Sequence, residues 1–534
     1  MDSYKIIAVD DDLVDLEAIK RCLRNERSIK NRTFTVTTLT SGEACLTYLK
    51  DQECDLLLLD YNMPELNGYE TCRIVKKMKP ELPVIILTGM TDDESIKYAF
   101  EAGADDYTTK PIKKTELIMR INNALRIKDS EFQLKTLYSG LLQDLSVASK
   151  VQSYVIPEWC KLDSNLIFTS FYQASNKVSG DLFDIIKISK TKYCVYVGDI
   201  SGHGVQAALL MVAFQTVIKM FINENKDDLK LHVILNRLNR TITDNFLNKN
   251  YLTILIGIID MEDNTFQYHT AGHPPLITYN TITEKVDNVK DSGNLPVGML
   301  KDTNYSESDI NTIKISADVA YLMYTDGVFE CKSNEGKFLG LDGLTEISKS
   351  IKPTGNIVTV QEKIVNRIKQ EGYLYEDDIT FLGFQRTDQK CKSSFFELNP
   401  KIENVEKIVN EILAAVKNSV SNIALEPKIE LICNEILNNI VIHGYNQPGT
   451  GNLSKILIEV MSSKNEIVIV FWDHGTEWKQ EELHSNNGSY FTENDEFEVS
   501  GRGLKIIKTL SSSFSINRHG NINETTVCIK DVKL

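Results

Sequence analysis

The feature that most constrains the fold is the stretch Tyr193-Cys-Val-Tyr-Val-Gly-Asp199-Ile-Ser-Gly-His203-Gly-Val-Gln-Ala-Ala-Leu-Leu210. Its first half is β-branched and aromatic, which predicts a strand, and from Val205 to Phe221 apolar residues recur at helical spacing. Between strand and helix lie two glycines, Gly202 and Gly204, and one acid, Asp199. A carboxylate that ends a strand, followed by residues small enough for carbonyls to point into the same space, makes an oxygen-rich nest for a hard divalent cation. A phosphate-cradling loop would want Lys and Ser/Thr after the glycines, where Val205 and Gln206 stand. A plain strand-turn-helix with a satisfied acid is the alternative, so the companions of Asp199 decide.

Those companions are ordered along the chain. Val178-Ser-Gly-Asp181-Leu-Phe-Asp184 precedes the turn, Tyr324-Thr-Asp326-Gly327-Val-Phe-Glu330 follows it, and Glu376-Asp377-Asp378-Ile-Thr380 comes last. Each sets an acid beside a glycine, another acid or a strand-like run, as metal ligands converging from strand ends would be. With Ala271-Gly-His-Pro-Pro275 between the second and third acids, the set resembles the SpoIIE-like and RsbU-like phosphatases of the metal-dependent (PPM) family. The resemblance implies a β-sandwich phosphatase over residues 161–387 in which Asp199 bridges two Mn²⁺ or Mg²⁺ ions. The Ile200 carbonyl and Asp181 would complete one site, Asp326 and Asp377 the other. It also implies in-line attack of a cation-held water on a phosphoserine or phosphothreonine, without a covalent phosphoenzyme. His203 is expected to be a hydrogen-bonding fixture of the turn in preference to a general acid. Asp184, Asp378 and Glu330 are expected to be supporting or exposed.

At 534 residues the chain exceeds a single core and predicts three or four domains. A net charge of −15 argues against general nucleic-acid binding. The cysteines are scattered, with no Cys-x-x-Cys and no His cluster, so neither a disulfide framework nor a zinc site is indicated. Reduced thiols in a cytoplasmic protein without a membrane partner are expected, since the N-terminus lacks a signal-peptide profile and Leu252–Ile259 is too short to span a bilayer.

The N-terminal segment alternates buried-strand runs with helical patterns. Ile6–Val9 ends in Asp10-Asp11-Asp12, Leu56–Leu59 ends at Asp60, Ile85–Leu87 ends at Thr88, and Asp106–Thr109 ends at Lys110-Pro111. Such alternation predicts a doubly wound parallel sheet with its special residues at carboxyl ends of strands. This segment resembles the CheY-like receiver of response regulators, and residues 1–125 are assigned to it. The resemblance implies Asp60 as phosphoacceptor, with Asp10, Asp11, Asp60 and the Asn62 carbonyl binding Mg²⁺. Thr88 and Lys110 would contact the phosphoryl group, and Tyr107 would be an aromatic switch. A sensor histidine kinase is the implied partner.

Residues 126–160 are expected to be a helical linker. Leu134, Leu137, Leu141, Leu145, Ala148 and Val155 recur at three- and four-residue steps, a narrow stripe that suits either packing on the chain's own phosphatase domain or a parallel coiled-coil homodimer.

Around a polar joint running from Phe384 to Ser394 the chain passes to a domain assigned to residues 393–534, which carries Ile429–Tyr445, in which Glu435 and Asn439 share a helical face. There a carboxylate can polarise a nucleophile and an amide oxygen can ligate Mg²⁺. Ile467–Trp472 predicts a strand ending at Asp473-His-Gly475, and Gly501-Arg-Gly503 opens another helix. These residues resemble the GHKL ATPase fold of histidine kinases and, more closely, RsbW-like anti-sigma serine kinases. The resemblance implies Glu435 as catalytic base, Asn439 as Mg²⁺ ligand, Asp473 as adenine contact, and Gly475, Gly501 and Gly503 lining ATP. Glu430 and Asn434 repeat the spacing, but His443, four residues after Asn439, favours the other register. No His lies between His273 and His443, which disfavours a histidine kinase.

The expected architecture is multidomain, α/β and α+β. The expected function is a partner switch: a serine on a STAS anti-anti-sigma protein is phosphorylated by the C-terminal domain and dephosphorylated by the central one, in a balance set by Asp60. The alternative is a C-terminal module that binds a sigma factor or antagonist without catalysis.

Overall fold

The computed structural model describes residues 3–24, 33–89, 93–202, 204–245, 250–289, 293–351, 356–387, 393–417, 425–445, 455–463, 466–477 and 502–530. They form two compact units, 1–144 and 145–534.

In the first unit the buried runs form a parallel sheet in the order Thr33–Leu39, Ser3–Val9, Leu56–Asp60, Val84–Thr88, Asp106–Thr109. Leu56–Leu59 and Val84–Leu87 are fully buried because helices cover both faces, the arrangement such unbroken apolar runs require. The chain then enters one helix, Lys114–Val155, so the predicted linker is continuous with the helix before it. Leu134, Leu137 and Leu141 are exposed, whereas Leu145, Ala148 and Val155 are half-buried.

In the second unit, two antiparallel sheets stack. One runs Asn311–Lys314, Thr265–Ala271, Leu252–Asp260, Lys192–Ile200, Leu182–Lys187. The other runs Val286–Asn288, Ile277–Asn280, Val319–Tyr324, Ile379–Arg386, Leu166–Gln173, Cys160–Asp163. Strand Lys192–Ile200 shows why both faces are apolar. Tyr193, Val195 and Val197 fill the space between the sheets, while Cys194, Tyr196 and Ile200 meet the helices Val205–Glu224 and Leu231–Asn245. Val205–Glu224 is the one described helix long and apolar enough to cross a membrane. Here Met211, Phe214 and Ile218 pack it onto the sheet.

A third sheet in this unit runs Ser393–Leu398, Ile456–Ser462, Glu466–Asp473, Ile522–Lys530, Ser513–His519, all antiparallel. Along Glu466–Asp473, Ile467, Ile469 and Phe471 face its own helices Val405–Lys417 and Glu426–Asn439. Val470 and Trp472 face the other way, into a core shared with Trp159, Ile347, Ile357 and Ile364 of the sandwich domain. The two C-terminal domains are therefore fused through a common apolar layer. Each described cysteine is a free thiol.

One carboxylate is trapped in that layer. Glu459 is buried and accepts a hydrogen bond from Asn356 Nδ2 across the domain boundary (2.9 Å), and burial pushes its pKa up to about 7. From pH 4.5 to 7 the native state then holds a proton that the unfolded chain has lost, so this group drains stability as pH rises through that window. Glu459→Gln keeps an acceptor for Asn356 and carries no charge. It is expected to raise the Tm at pH 8 and to flatten the fall in Tm between pH 5 and 8; an unchanged Tm-versus-pH curve would contradict the burial of this group.

Candidate functional site

The sandwich domain gathers acids at one edge. Asp181 immediately precedes the strand Leu182–Lys187 and is buried, and its Oδ2 accepts from Thr325 Oγ1 (2.9 Å) and Thr380 Oγ1 (2.6 Å). Asp199 sits near the end of Lys192–Ile200, with the helix starting after Gly204, whose φ of 77° only glycine adopts freely. Gly180 lets these segments close. A Cβ there would stand 3.2 Å from the Ile200 carbonyl oxygen and 3.3 Å from Asp199 Oδ1. Gly327 does the same for Asp326 and Asp377, since a Cβ would fall 2.0 Å from the Asp378 carbonyl oxygen and 3.4 Å from the Asp377 carbonyl carbon.

The electrostatics follow from this crowding. Burial, then repulsion from Asp181, Asp326, Asp377 and Asp378, pushes the Asp199 carboxyl up to about 10. Asp181 is raised well above its ordinary value by burial, and Asp326 rises to about 6 through burial, Glu330 and Asp377. Asp377 is exposed, with Oδ1 accepting from Asp378 N (2.8 Å). A cluster that repels its own ionised form and offers only oxygen donors fits hard divalent cations such as Mg²⁺ or Mn²⁺. The expected neighbours take structural roles. Asp378 Oδ1 and Oδ2 accept from Ser175 N (2.7 Å) and Gly180 N (2.9 Å), and Asp184 pairs with Lys219 (2.7 Å). His203 lies outside the described residues.

The structure adds further members to the site. Thr325 and Thr380 are strand-end residues whose hydroxyls point at Asp181. His273 of the Ala-Gly-His-Pro-Pro block is buried, held neutral by a pKa lowered to about 3, and its Nδ1 lies 3.1 Å from Thr253 Oγ1, on the residue paired with Asp199. Gln152, in the last turn of the long helix, is buried. Its Nε2 donates to Ser179 O (2.7 Å) and its Oε1 accepts from Ser179 N (3.2 Å), while Ser179 Oγ accepts from Asp181 N (3.0 Å). A lone amide in a helical stripe is the signal that could have identified it.

In the N-terminal sheet, ligand oxygens of Asp10, Asp11 and Asp60 lie within 4.8 Å of one another, the one such cluster among the described residues. Lys110 Nζ reaches Asp10 (2.8 Å), Asp60 (2.5 Å) and Asp15 (2.8 Å), the last not foreseen. Burial opposes the Lys110 charge, but these three carboxylates outweigh it and raise its pKa. Asp60 is buried, which raises its pKa against the pull of Lys110, and Asn62 N donates to its Oδ2 (3.0 Å). Thr88 is buried at its strand end, and Tyr107 stands edge-on to Phe100 with Arg120 5.3 Å from its ring centre.

In the C-terminal domain Glu435 and Asn439 converge on Gly503, where a Cβ would lie 2.5 Å from Glu435 Oε2 and 3.4 Å from Asn439 Nδ2. Glu430 is exposed. Asp473 is buried, which pushes its pKa up to about 6, and its Oδ1 accepts from Gly475 N (2.7 Å) and Asn523 Nδ2 (2.9 Å). Its Oδ2 is buried without a partner among the described residues, an acceptor suited to an adenine amino group. Gly475 packs against Gly444 so closely that a Cβ would meet its Cα at 2.9 Å. Gly501 lies outside the described residues.

Comparison with known proteins divides the chain along the same lines. The family model for the response regulator receiver domain matches residues 6–122, that for stage II sporulation protein E (SpoIIE) residues 189–387, and that for the histidine kinase-like ATPase domain residues 398–529. The response regulator SaeR of Staphylococcus aureus is 42% identical over 92 residues, 17% of this chain, and the chain spans 40% of that relative's length. Among solved structures, the RsbU and RsbW domains of a Mycobacterium tuberculosis protein align over 70% of this chain and 96% of theirs (18% identity, TM-score 0.39). The phosphatase-domain structure of Bacillus subtilis SpoIIE aligns over 42% of this chain and 64% of its own (18% identity, TM-score 0.36).

The threonine pair gives a direct test. Thr380→Val removes one hydroxyl from Asp181 at constant shape, and supports of this kind typically carry about 10- to 100-fold in metal affinity. The Mn²⁺ concentration for half-maximal p-nitrophenyl phosphate hydrolysis is expected to rise at least tenfold with maximal rate largely retained; an unchanged Mn²⁺ profile would exclude a role for Thr380 in holding Asp181.

Proposed function

The chain joins a response regulator receiver domain, a SpoIIE-type phosphatase domain and a histidine kinase-like ATPase domain, and from that premise we propose that it is a phosphorylation-controlled partner switch acting on a serine of a STAS-type anti-anti-sigma protein. The observation that supports the reading is the convergence of Asp181, Asp199, Asp326 and Asp377 on one edge of the sandwich, with the proton affinity of Asp199 driven up by burial and then by these neighbours.

In the phosphatase domain, Asp199, Asp181 and the Ile200 carbonyl would hold one divalent cation, and Asp199, Asp326 and Asp377 a second. When bound, such a pair supplies positive charge for the phosphoryl oxygens and a water of lowered pKa. The chain's own residues do the positioning. Thr325 and Thr380 aim Asp181, Asp378 fixes the Ser175–Gly180 loop, and Gln152 gives the connector helix a hold on Ser179.

The ATPase domain supports the opposing step. Asp473 Oδ2 would accept the adenine amino group, and Asn439 would ligate the Mg²⁺ that accompanies ATP. Glu435, poised against Gly503, would take the proton from the substrate serine. In the receiver, Asp60 is the phosphoacceptor, with Mg²⁺ at Asp10, Asp11, Asp60 and Asn62, and with Thr88, Lys110 and Tyr107 as its readout. A sensor histidine kinase in the cytoplasm supplies the phosphoryl group. The exposed Leu134, Leu137 and Leu141 favour a homodimer through that part of the connector, while its last turn lies on the phosphatase domain through Gln152.

Incubation of the purified protein with ATP, Mn²⁺ and the STAS protein tests the reading. Wild type is expected to phosphorylate the serine and to release phosphate from it. Asp199→Asn should accumulate phosphoprotein, with release cut at least a hundredfold, and Glu435→Ala should stop transfer while the STAS protein still binds. Asp60→Asn should fix the ratio of the two rates against an acyl-phosphate donor. Absence of both transfer and release from the wild-type chain would overturn the proposal.

A further inference from the structure

The residues between the connector helix and the first sandwich strand touch the nucleotide loop of the ATPase domain. Trp159 is buried, and its indole stacks on the imidazole of His474, ring centres 4.6 Å apart and planes inclined by 27°. Its Nε1 donates to Lys455 O (2.9 Å), and its own carbonyl accepts from Ser170 N (2.7 Å) of the sandwich. Lys455 Nζ binds Glu158 (2.7 Å) and Glu397 (3.1 Å), and the other Glu397 oxygen accepts from Leu162 N (2.9 Å). The stretch Glu158–Leu162 is thus pinned on one side to the phosphatase sheet and on the other to the first two ATPase strands.

His474 stands between Asp473 and Gly475. The other supports of this loop come from within the ATPase domain. Tyr445 Oη accepts from His474 N (2.9 Å), Arg518 donates to Gly475 O (2.9 Å) and Asn523 Oδ1 (2.7 Å), and Asn523 donates to Asp473 Oδ1. Among the described residues, Trp159 supports the loop from outside that domain. A buried carboxylate recognises one amino group only within a few tenths of an ångström, so whatever immobilises its neighbour lowers the ordering cost of binding.

We propose that Trp159 is a positioning residue for the nucleotide loop Asp473–Gly475, linking adenine-nucleotide occupancy to the junction between connector helix and phosphatase sheet. The inference rests on the reading of Glu435, Asn439, Asp473 and Gly503 as the nucleotide site. Linkage is reciprocal. A displaced junction weakens nucleotide binding, and bound nucleotide holds the junction in place.

The test uses the full chain and ADP, which occupies the site without phosphotransfer. Calorimetric affinity is measured for wild type, Trp159→Ala, Trp159→Phe, His474→Ala and the double alanine variant. Trp159→Ala and His474→Ala are each expected to weaken ADP about three- to tenfold, the range an aromatic contact of this kind supports. The double variant should be no weaker than either single one, as for two residues acting through one contact. Trp159→Phe, which keeps a stacking ring, should stay within about twofold of wild type by the same reasoning. In a Trp472→Phe/Trp478→Phe background, ADP should change the Trp159 emission, a response that a merely structural tryptophan would not give. Should Trp159→Ala fail to fold, His474→Ala and the emission change decide. Wild-type affinity in both alanine variants, additive losses, or Trp159 emission indifferent to ADP would overturn the inference while leaving the nucleotide site intact. No ADP binding by the wild-type chain would overturn both.

Discussion

Asp199 is half-buried within electrostatic reach of Asp181, Asp326, Asp377 and Asp378, and burial together with their repulsion disfavours its ionised form in the absence of a counter-charge. Much of the sandwich domain can be understood as the scaffold that keeps them there. The acids come from ends of different strands, so two stacked sheets with covered outer faces are needed to hold them rigidly. Glycines at 180 and 327 let backbone carbonyls approach where a Cβ would collide. Two threonine hydroxyls satisfy Asp181, and Asp378 spends both oxygens on backbone N–H groups, which separates it from its exposed neighbour Asp377. Burial and mutual repulsion together raise the proton affinity of Asp199, and a cation among these carboxylates would offset that repulsion.

The second organising contact is the apolar layer between the sandwich and the ATPase sheet. An antiparallel sheet can leave one face to water, yet Val470, Trp472 and Leu457 on the outer face are as buried as Ile469 and Phe471 on the inner one. Two domains proposed to carry opposed activities are thereby held in fixed register, with Glu459 and Asn356 pairing inside the layer. A shared core makes a change of docking between these domains expensive. The Trp159–His474 stack sits at its edge. Gln152, in the preceding helical turn, touches the loop of Asp181 from the same stretch of chain.

Much of this was legible in the residues, for physical reasons. Buried runs ending in Asp60, Thr88 and Lys110 imply a parallel sheet with a site at its carboxyl edge, and the structure has that sheet. The four-residue step from Glu435 to Asn439 implies one helical face, and both side chains meet Gly503. Adjacent acids are less legible, because Asp377-Asp378 alternate in direction and nothing in the pattern says which one turns inward. Long-range partners are illegible in principle: Trp159 and Lys455 are 296 positions apart, and neither carries a local signature. The fusion of the two domains did leave a trace. Ile467–Trp472 is apolar at every position, which in an antiparallel strand means that both faces are covered.

Crystals of the full chain grown with Mn²⁺, with anomalous scattering recorded at the manganese edge, test the assignment of the four acids most directly. Two peaks flanking the Asp199 carboxylate are expected, one shared with Asp181 and the Ile200 carbonyl and one with Asp326 and Asp377. Full Mn²⁺ occupancy at Asp10, Asp11 and Asp60 with no peak beside Asp199 would contradict it.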